Sequence, residues 1–222
     1  MSADGQLKAT FALGGAFASD WEDMARGPCQ DLKASCIYVA DMGDNKKQRN
    51  DYKLYRFAEP EREPSGEIAI TPERFDIHYP DGAHNAETLL VHPVTGHLTI
   101  VTKTNEGPSP IYEFTQALSA GTTIELKKVG EIAAPKGSER FTGGAVHPDG
   151  KGILLRTYSS LWYYPMSEGQ SVAQAISGPA CALPVADEAQ GETVEWLANG
   201  TGYLTISEGV RVPINRVDCK GL

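Results

Sequence analysis

The sequence predicts an all-β fold, a β-propeller of four blades, on three observations. Its apolar stretches are short and rich in Val, Ile, Tyr, Phe and Thr. Gly, Pro, Asn and Asp separate them, and one pattern recurs four times along the 222 residues. Short β-prone runs punctuated by turn residues are strand signals, and helical periodicity is nearly absent. The stretch "SPIYEFTQALSAG" reads as a strand followed by a turn.

The repeat is carried by recognisable pieces. "ETLLVHPVTGHLTIVTKT" begins at Glu87 and "TGGAVHPDGKGILLRTY" at Thr142, and both contain Val-His-Pro. "ETVEWLANGTGYLTISEG" begins at Glu192, with Asn199-Gly200 standing where the preceding copy has Asp149-Gly150. "EDMARGPCQDLKASCIYVADMGDN" begins at Glu22, and its Pro28 stands on Pro93. These are four copies of a unit of roughly 50–65 residues. Each unit opens with a small apolar strand and a turn. A second strand follows ("CIYVAD", "HLTIVTK", "GILLRTY", "GYLTIS"), then a third ("YKLYRF", "PIYEF", "SLWYYP", "VRVPINRV"). The first three units add an outer strand, "ERFDIHYP", "KKVGEIA" and "CALPV". The last unit lacks one, and "GQLKATFAL" at the N-terminus is unassigned, so it is expected to close the ring as the missing outer strand. Four-stranded units repeated radially make a propeller, here a single domain over 1–222, with two separate sandwiches as the competing architecture.

Composition narrows the partners. With 20 basic and 29 acidic residues the formal charge is −9, and no Lys/Arg block stands out, which argues against nucleic acid. No apolar run is long enough to cross a bilayer as a helix. "MSADGQLKATF" lacks the regions of a signal peptide, so Met1 reads as a start replacing a removed leader. The four cysteines allow three pairings. Cys29–Cys36 is favoured because a short loop between strands brings its ends together, leaving Cys181 and Cys219 as a second possible pair. Disulfides point to a secreted or periplasmic protein, although four buried thiols would give the same sequence.

The first strand of each propeller unit lines the central channel, so Glu22, Glu87, Thr142 and Glu192 are expected to converge on one axis. Close, unpaired carboxylates repel and raise one another's pKa, and a divalent cation removes that cost. Oxygen-only ligation favours calcium, with magnesium second. Asp23, and Asp44 and Asn45 of "ADMGDN", are further oxygen donors. The competing assignment has each Glu bonded to backbone amides at its blade entry. "ADMGDN" alone is weak, since it lacks the glycine and terminal glutamate spacing of a calcium loop, and a turn built on Gly43 explains it as well. Lys103, Arg156 and Tyr158 end second strands, while His84 and Arg140 precede first strands, near the same rim; inter-blade salt bridges are the alternative role for these cations. His92 and His147 belong to the repeated turn and read as structural. Trp21, Trp162 and Trp196 read as packing. No nucleophile elbow, Ser-x-x-Lys, zinc-protease or phosphate-loop motif is present.

The set "DWEDMARGP", "CIYVADMGDN", "YRFAEP", "NAETLLVHPVTGHLTIVTK", "LLRTY" and "QGETVEW…GYLTISEG" resembles a group of exported bacterial β-propeller proteins, distantly similar to phytase-like and gluconolactonase-like propellers. The resemblance implies secretion, a Cys29–Cys36 bridge and an acidic, metal-loaded channel. Longer members carry another blade's strands before the segment equivalent to "GQLKATFAL", so the chain is a four-bladed ring or a fragment of a five-bladed one.

The leading expectation is a secreted calcium-binding propeller that hydrolyses esters, lactones or phosphoesters at its channel mouth. Glu22, Glu87 and Glu192 hold the metal, with Asp23 and Asp44, and serve catalysis. His84, Lys103, Arg140, Arg156 and Tyr158 bind the small-molecule or carbohydrate ligand. A glycosidase that uses the channel carboxylates directly and a non-catalytic scaffold are the rivals.

Overall fold

The computed structural model describes residues 6–29, 33–60, 64–135 and 140–219. A short strand, β1 (Ala9–Leu13), precedes a first antiparallel unit of β2 (Trp21–Pro28), β3 (Ser35–Asp41) and β4 (Tyr52–Ala58). The chain then leaves as β5 (Gly66–Ile70) and returns as the outer strand β6 (Glu73–His78). The second unit is β7 (Ala86–Val91), β8 (Leu98–Thr102), β9 (Ser109–Phe114) and β10 (Thr123–Ile132). The third is β11 (Phe141–Val146), β12 (Gly152–Thr157) and β13 (Leu161–Pro165), completed by β14 (Cys181–Leu183) after one short helix, α1 (Val172–Ile176). A fourth unit has three strands, β15 (Gly191–Trp196), β16 (Gly202–Ser207) and β17 (Ile214–Asp218). The fold is all-β and propeller-like: β2 lies beside β7, β7 beside β11 and β11 beside β15, in sequence order.

Burial along the strands reports each unit's place in the stack. Every residue of β7, β8 and β12 is buried, because the second and third units are covered on both faces. The last strand, β17, instead alternates exposed and half-buried residues, the pattern of a sheet with one free face. Three apolar layers separate the units. Tyr38, Leu54 and Phe75 meet Leu89, Ile100 and Tyr112 in the first. Leu90, Val101 and Ile111 meet Phe141, Leu155 and Trp162 in the second. Ala145 and Leu154 meet Val194, Trp196 and Tyr203 in the third. The outer strands β6 and β10 also pair in parallel over three residues, which ties the first two units into one eight-stranded sheet.

The repeated His-Pro turn is an inter-unit joint. A side chain added at Gly150 of the third unit would meet the His92 ring of the second at 3.1 Å. The step repeats one unit on, where His147 lies 2.5 Å from the Cβ position of Gly200. Its Nε2 stands 3.1 Å from the Gly200 carbonyl, and its ring packs edge-on to Trp196 at 4.6 Å. Gly150 and Gly200 both have left-handed backbones, with φ of +74° and +70°, so the residue type is required twice over. Trp162 and Trp196 are buried as packing residues, whereas Trp21 is 41 % exposed against Tyr55.

One expectation is corrected. The N-terminal strand does not complete the fourth unit. It pairs in parallel with β5, from Ala9 opposite Gly66 to Leu13 opposite Ile70. Leu13 and Ile70 then cover Val39, Tyr55 and Phe57 on the first unit's outward face. The apolar alternation of β1 needs a sheet face to lie on, and the first unit offers one closer in sequence than the fourth. Gly5, at the start of the expected segment, lies outside the described residues. The Cys29–Cys36 disulfide is present, with Cα atoms 5.1 Å apart, and Cys181 and Cys219 are unbridged.

Gly143 tests how tightly the inner strands pack, since a Cβ there would stand 2.3 Å from the Glu192 carbonyl oxygen of the next unit. Gly143→Ala is expected to lower stability by about 2 kcal/mol in urea unfolding, with an unchanged m-value.

Candidate functional site

Each inner strand carries a bulge at the same place. The pairing register slips between Trp21 and Asp23, Ala86 and Thr88, Phe141 and Gly143, and Gly191 and Thr193. The residues skipped are Glu22, Glu87, Thr142 and Glu192, the four positions aligned by the sequence repeat. A bulge leaves its extra residue outside the ladder and re-aims its side chain, so the repeat encodes a ring of off-ladder groups at one end of the stack. Two further positions belong to this end of every unit. The residue just before the inner strand is Asp20, Asn85, Arg140 or Gln190. The residue just after the second strand is Met42, Lys103, Tyr158 or Glu208.

The side chains at this mouth fall into distinct groups. Glu87 and Lys103, both nearly inaccessible, form a bidentate ion pair in which Lys103 Nζ donates to Glu87 Oε1 at 2.6 Å and Oε2 at 2.5 Å. Lys103 donates also to the Tyr158 hydroxyl at 2.6 Å, which carries the contact from the second unit to the third. Burial holds the Glu87 carboxyl above the usual carboxylate range, although Lys103 pulls it down. Burial opposes the Lys103 charge too, yet the bonds to Glu87 and Tyr158 lift it above the usual lysine range. With both carboxylate oxygens engaged at these distances, the geometry is that of an ionised pair.

Glu22 has no such counter-ion. Glu22 Oε1 and Asp20 Oδ2 crowd over Gly43, at 2.2 Å and 2.5 Å from where its Cβ would stand, so the two carboxyl groups are neighbours and only glycine fits beneath them. Burial, then the charges of Glu87 and Asp20, push the Glu22 carboxyl up to about 8. Across the mouth, Glu192 accepts a bond from Gln190 Nε2 at 2.9 Å, and the same amide group donates to Glu208. Thr142, in the third unit, donates to the Gly191 carbonyl at 2.8 Å.

Other expected site residues lie elsewhere. Asp23 bridges the first two units, accepting from Leu89 N at 2.7 Å and Met24 N at 2.8 Å. The amide-bonded role proposed for the glutamates therefore belongs to their neighbour. Asp44 accepts from Arg49 N and the Tyr52 hydroxyl, both at 2.8 Å, and these partners with Gln48 N hold it below the usual range despite burial. It anchors a turn, as the alternative reading of "ADMGDN" has it, and Asn45 accepts from the Asn85 side-chain amide at 3.4 Å. Arg156 is wholly buried beneath Gly191 and donates to Glu188 Oε2 at 2.8 Å, an inter-unit salt bridge. His84 sits among aromatic rings, 3.0 Å from Asp81 Oδ1 and 2.8 Å from the Tyr112 hydroxyl. Arg140 is exposed. Gln190 and Glu208 were missed by sequence reading; their equivalence to Arg140, and to Lys103 and Tyr158, in the repeat is the signal that would have found them.

Three of the residues expected to hold a calcium or magnesium ion, Glu87, Asp23 and Asp44, are already engaged by protein donors. Among the described residues no three Asp, Glu, His or Cys side chains converge as metal ligands. The Lys103 ammonium supplies the positive charge that the sequence assigns to a metal.

No family model matches the chain, and no curated protein does. Among solved structures it is similar to the periplasmic gluconolactonase PpgL of Pseudomonas aeruginosa, at 9 % identity over 89 % of this chain and 57 % of that one, with a TM-score of 0.44. It is similar to the Dos1 propeller at 7 % identity over 87 % of this chain and 43 % of that one, with a TM-score of 0.43. A functionally unknown protein from Desulfotomaculum acetoxidans gives 14 % identity, coverage of 93 % and 58 %, and a TM-score of 0.41. The chain spans about half the length of these structures.

Lys103→Met strands the buried Glu87 carboxylate, and a loss of about 3–5 kcal/mol in denaturant unfolding is expected. Pairing it with Glu87→Met should recover most of that loss. A melting temperature that does not move on adding EDTA is the companion result, because the charge balance is internal.

Proposed function

We propose that the four antiparallel units are four blades of one propeller, exported to an oxidising compartment, and that its channel mouth is a metal-independent hydrolase site. Export rests on the Cys29–Cys36 disulfide. The hydrolase reading is carried by one observation: Glu22 is a half-buried carboxyl, pushed up to about 8, whose nearest cation is committed to Glu87. A carboxyl that stays protonated at neutral pH beside other carboxylates is the arrangement that divides acid and base roles.

In the proposed reaction Glu22 gives its proton to the oxygen of the leaving alcohol. Glu192, at the equivalent bulge of the fourth unit, takes a proton from water as the water oxygen bonds to the substrate carbon. The old carbon–oxygen bond breaks, and the products are an alcohol with an acid, or with a free sugar. Gln190 holds the Glu192 carboxylate in place. Lys103 lowers the repulsion around Glu22 without touching substrate, and Tyr158, already accepting from Lys103, presents a hydroxyl that can donate into the mouth. Esters, lactones and glycosides suit this chemistry. Phosphoesters suit it least, because the Asp20, Glu192 and Glu208 carboxylates repel a dianion.

Glu22→Gln keeps the shape and removes the proton. On a panel of ester, lactone and glycoside substrates it is expected to lower kcat by about 100-fold or more while leaving KM near its original value. The wild-type rate should fall as pH rises through about 8, where Glu22 loses its proton, and the variant should lack that limb. Stability follows the same group. Its folded pKa lies above the ordinary 4.5, so its contribution is full below that pH and is lost as pH rises through about 8. Glu22→Gln should therefore melt higher than wild type at alkaline pH and match it in acid. Retention of full hydrolysis by the variant would sink the assignment.

A further inference from the structure

A cavity lies at the other end of the inner strands from the bulges, where the His-Pro turn stands. It occupies about 790 Å³ of the groove between the second and third units, a size within the range of small-molecule sites. The second unit supplies one wall from His92, Val94, His97 and Glu113. The third unit supplies the other from Asp149, Lys151 and the segment 167–172.

Strand alternation sets what faces this groove. Val101 and Ile111 belong to the apolar layer between the two units. Thr99 and Glu113 lie two residues away on the same strands, paired with each other across the ladder, so they face the third unit as well. Here the layer turns polar and is left incomplete. Glu113 Oε1, Thr99 Oγ1 and His97 Nε2 are all buried with no hydrogen-bond partner among the described residues. Glu113 Oε2 stands 3.4 Å from His97 Nε2, an ion-pair approach rather than a hydrogen bond. His92 does not complete the set. Its Nδ1 accepts from Val94 N and Thr95 N, both at 3.2 Å, and burial, then His97, holds its ring below the usual histidine range. A carboxylate oxygen buried without a donor is costly, and a ligand that brings one removes the cost.

We infer that this cavity binds a small organic ammonium, a primary amine on an aryl or alkyl body. The ammonium donates to Glu113 Oε1, and the carbon body lies against Val94 and Val172. The charges along the walls select the sign. Lys151, the one lysine or arginine of the lining among the described residues, is engaged with Asp149, which accepts from the Lys151 amide at 2.8 Å. Glu113 and Glu168 are then in excess, so an anion is repelled. A neutral alcohol can donate to the carboxylate but leaves its charge unanswered. The site is separate from the mouth and does not depend on hydrolysis there.

Titration calorimetry of the whole chain with phenethylamine, phenethyl alcohol and hydrocinnamate tests the assignment. At neutral pH, wild type is expected to bind the amine about tenfold or more tightly than the alcohol, and the acid more weakly than either. Glu113→Gln keeps the shape and removes the charge. It should bring the amine down to the affinity of the alcohol without lowering the melting temperature. In wild type the His97 ring resonances, identified by their loss in His97→Gln, should shift along the saturation curve of the amine. Absence of amine binding, the result if ordered water alone fills the cavity, overturns the inference. Equal affinity for amine and alcohol does the same, as do His97 resonances unmoved at amine saturation. A preference that survives Glu113→Gln also sinks it, because the amine is then held elsewhere, as at the acidic mouth.

Discussion

The bulge at the entry of each inner strand is the constraint on which the rest depends. A regular strand places its second residue in the ladder, facing a neighbouring sheet. The slip in register at Glu22, Glu87, Thr142 and Glu192 takes these residues out of the ladder, and the stacking of β2, β7, β11 and β15 brings the four slips to one end of the molecule. Close backbone approach makes this possible. Gly143 lies against the Glu192 carbonyl and Gly191 against the Arg156 guanidinium, with no room for a side chain at either place.

Electrostatics then sorts the four positions. Three carboxyl groups near one axis cannot all be ionised without compensation, and this protein compensates in two ways. Lys103 takes up Glu87 completely, with Tyr158 as its third partner. Glu22, left beside Asp20, responds by holding its proton. Internal neutralisation does locally what a bound cation does in a site of free carboxylates, and it leaves one carboxyl acid rather than anionic. The inter-unit contacts farther out are polar too: Arg156 with Glu188, Asp23 with the Leu89 amide, His147 with Gly200.

Much of this was legible in the chain. The Val-His-Pro turns and the aligned glutamates located the four bulges, because register in a repeated meander is set by turn chemistry and strand length together. The outer strands Glu73–His78 and Cys181–Leu183 fall on segments expected in that role, and Thr123–Ile132 overlaps its expected segment but begins four residues earlier. Pairings between distant segments were less legible. β1 has the composition to join any exposed sheet edge, and its parallel partner β5 is a five-residue run, GEIAI, that carries no turn signal marking it as a strand's mate. Asp44 and Asp23 looked like metal donors because composition shows an oxygen and hides the amide that occupies it.

The sequence by itself determined the all-β class and aligned the four positions that the bulges occupy, and it favoured the Cys29–Cys36 bridge that the structure contains. Each is written in local spacing, where turn residues and alternation act over a few residues. Only the tertiary structure decided which acid is paired and which carboxyl burial pushes up. Lys103 could have met any of the neighbouring carboxylates as far as its place in the chain shows, and its partner was settled by the depth at which Glu87 is buried. A charge's value depends on desolvation and on neighbours from other units, and neither is recorded in the order of residues along one strand.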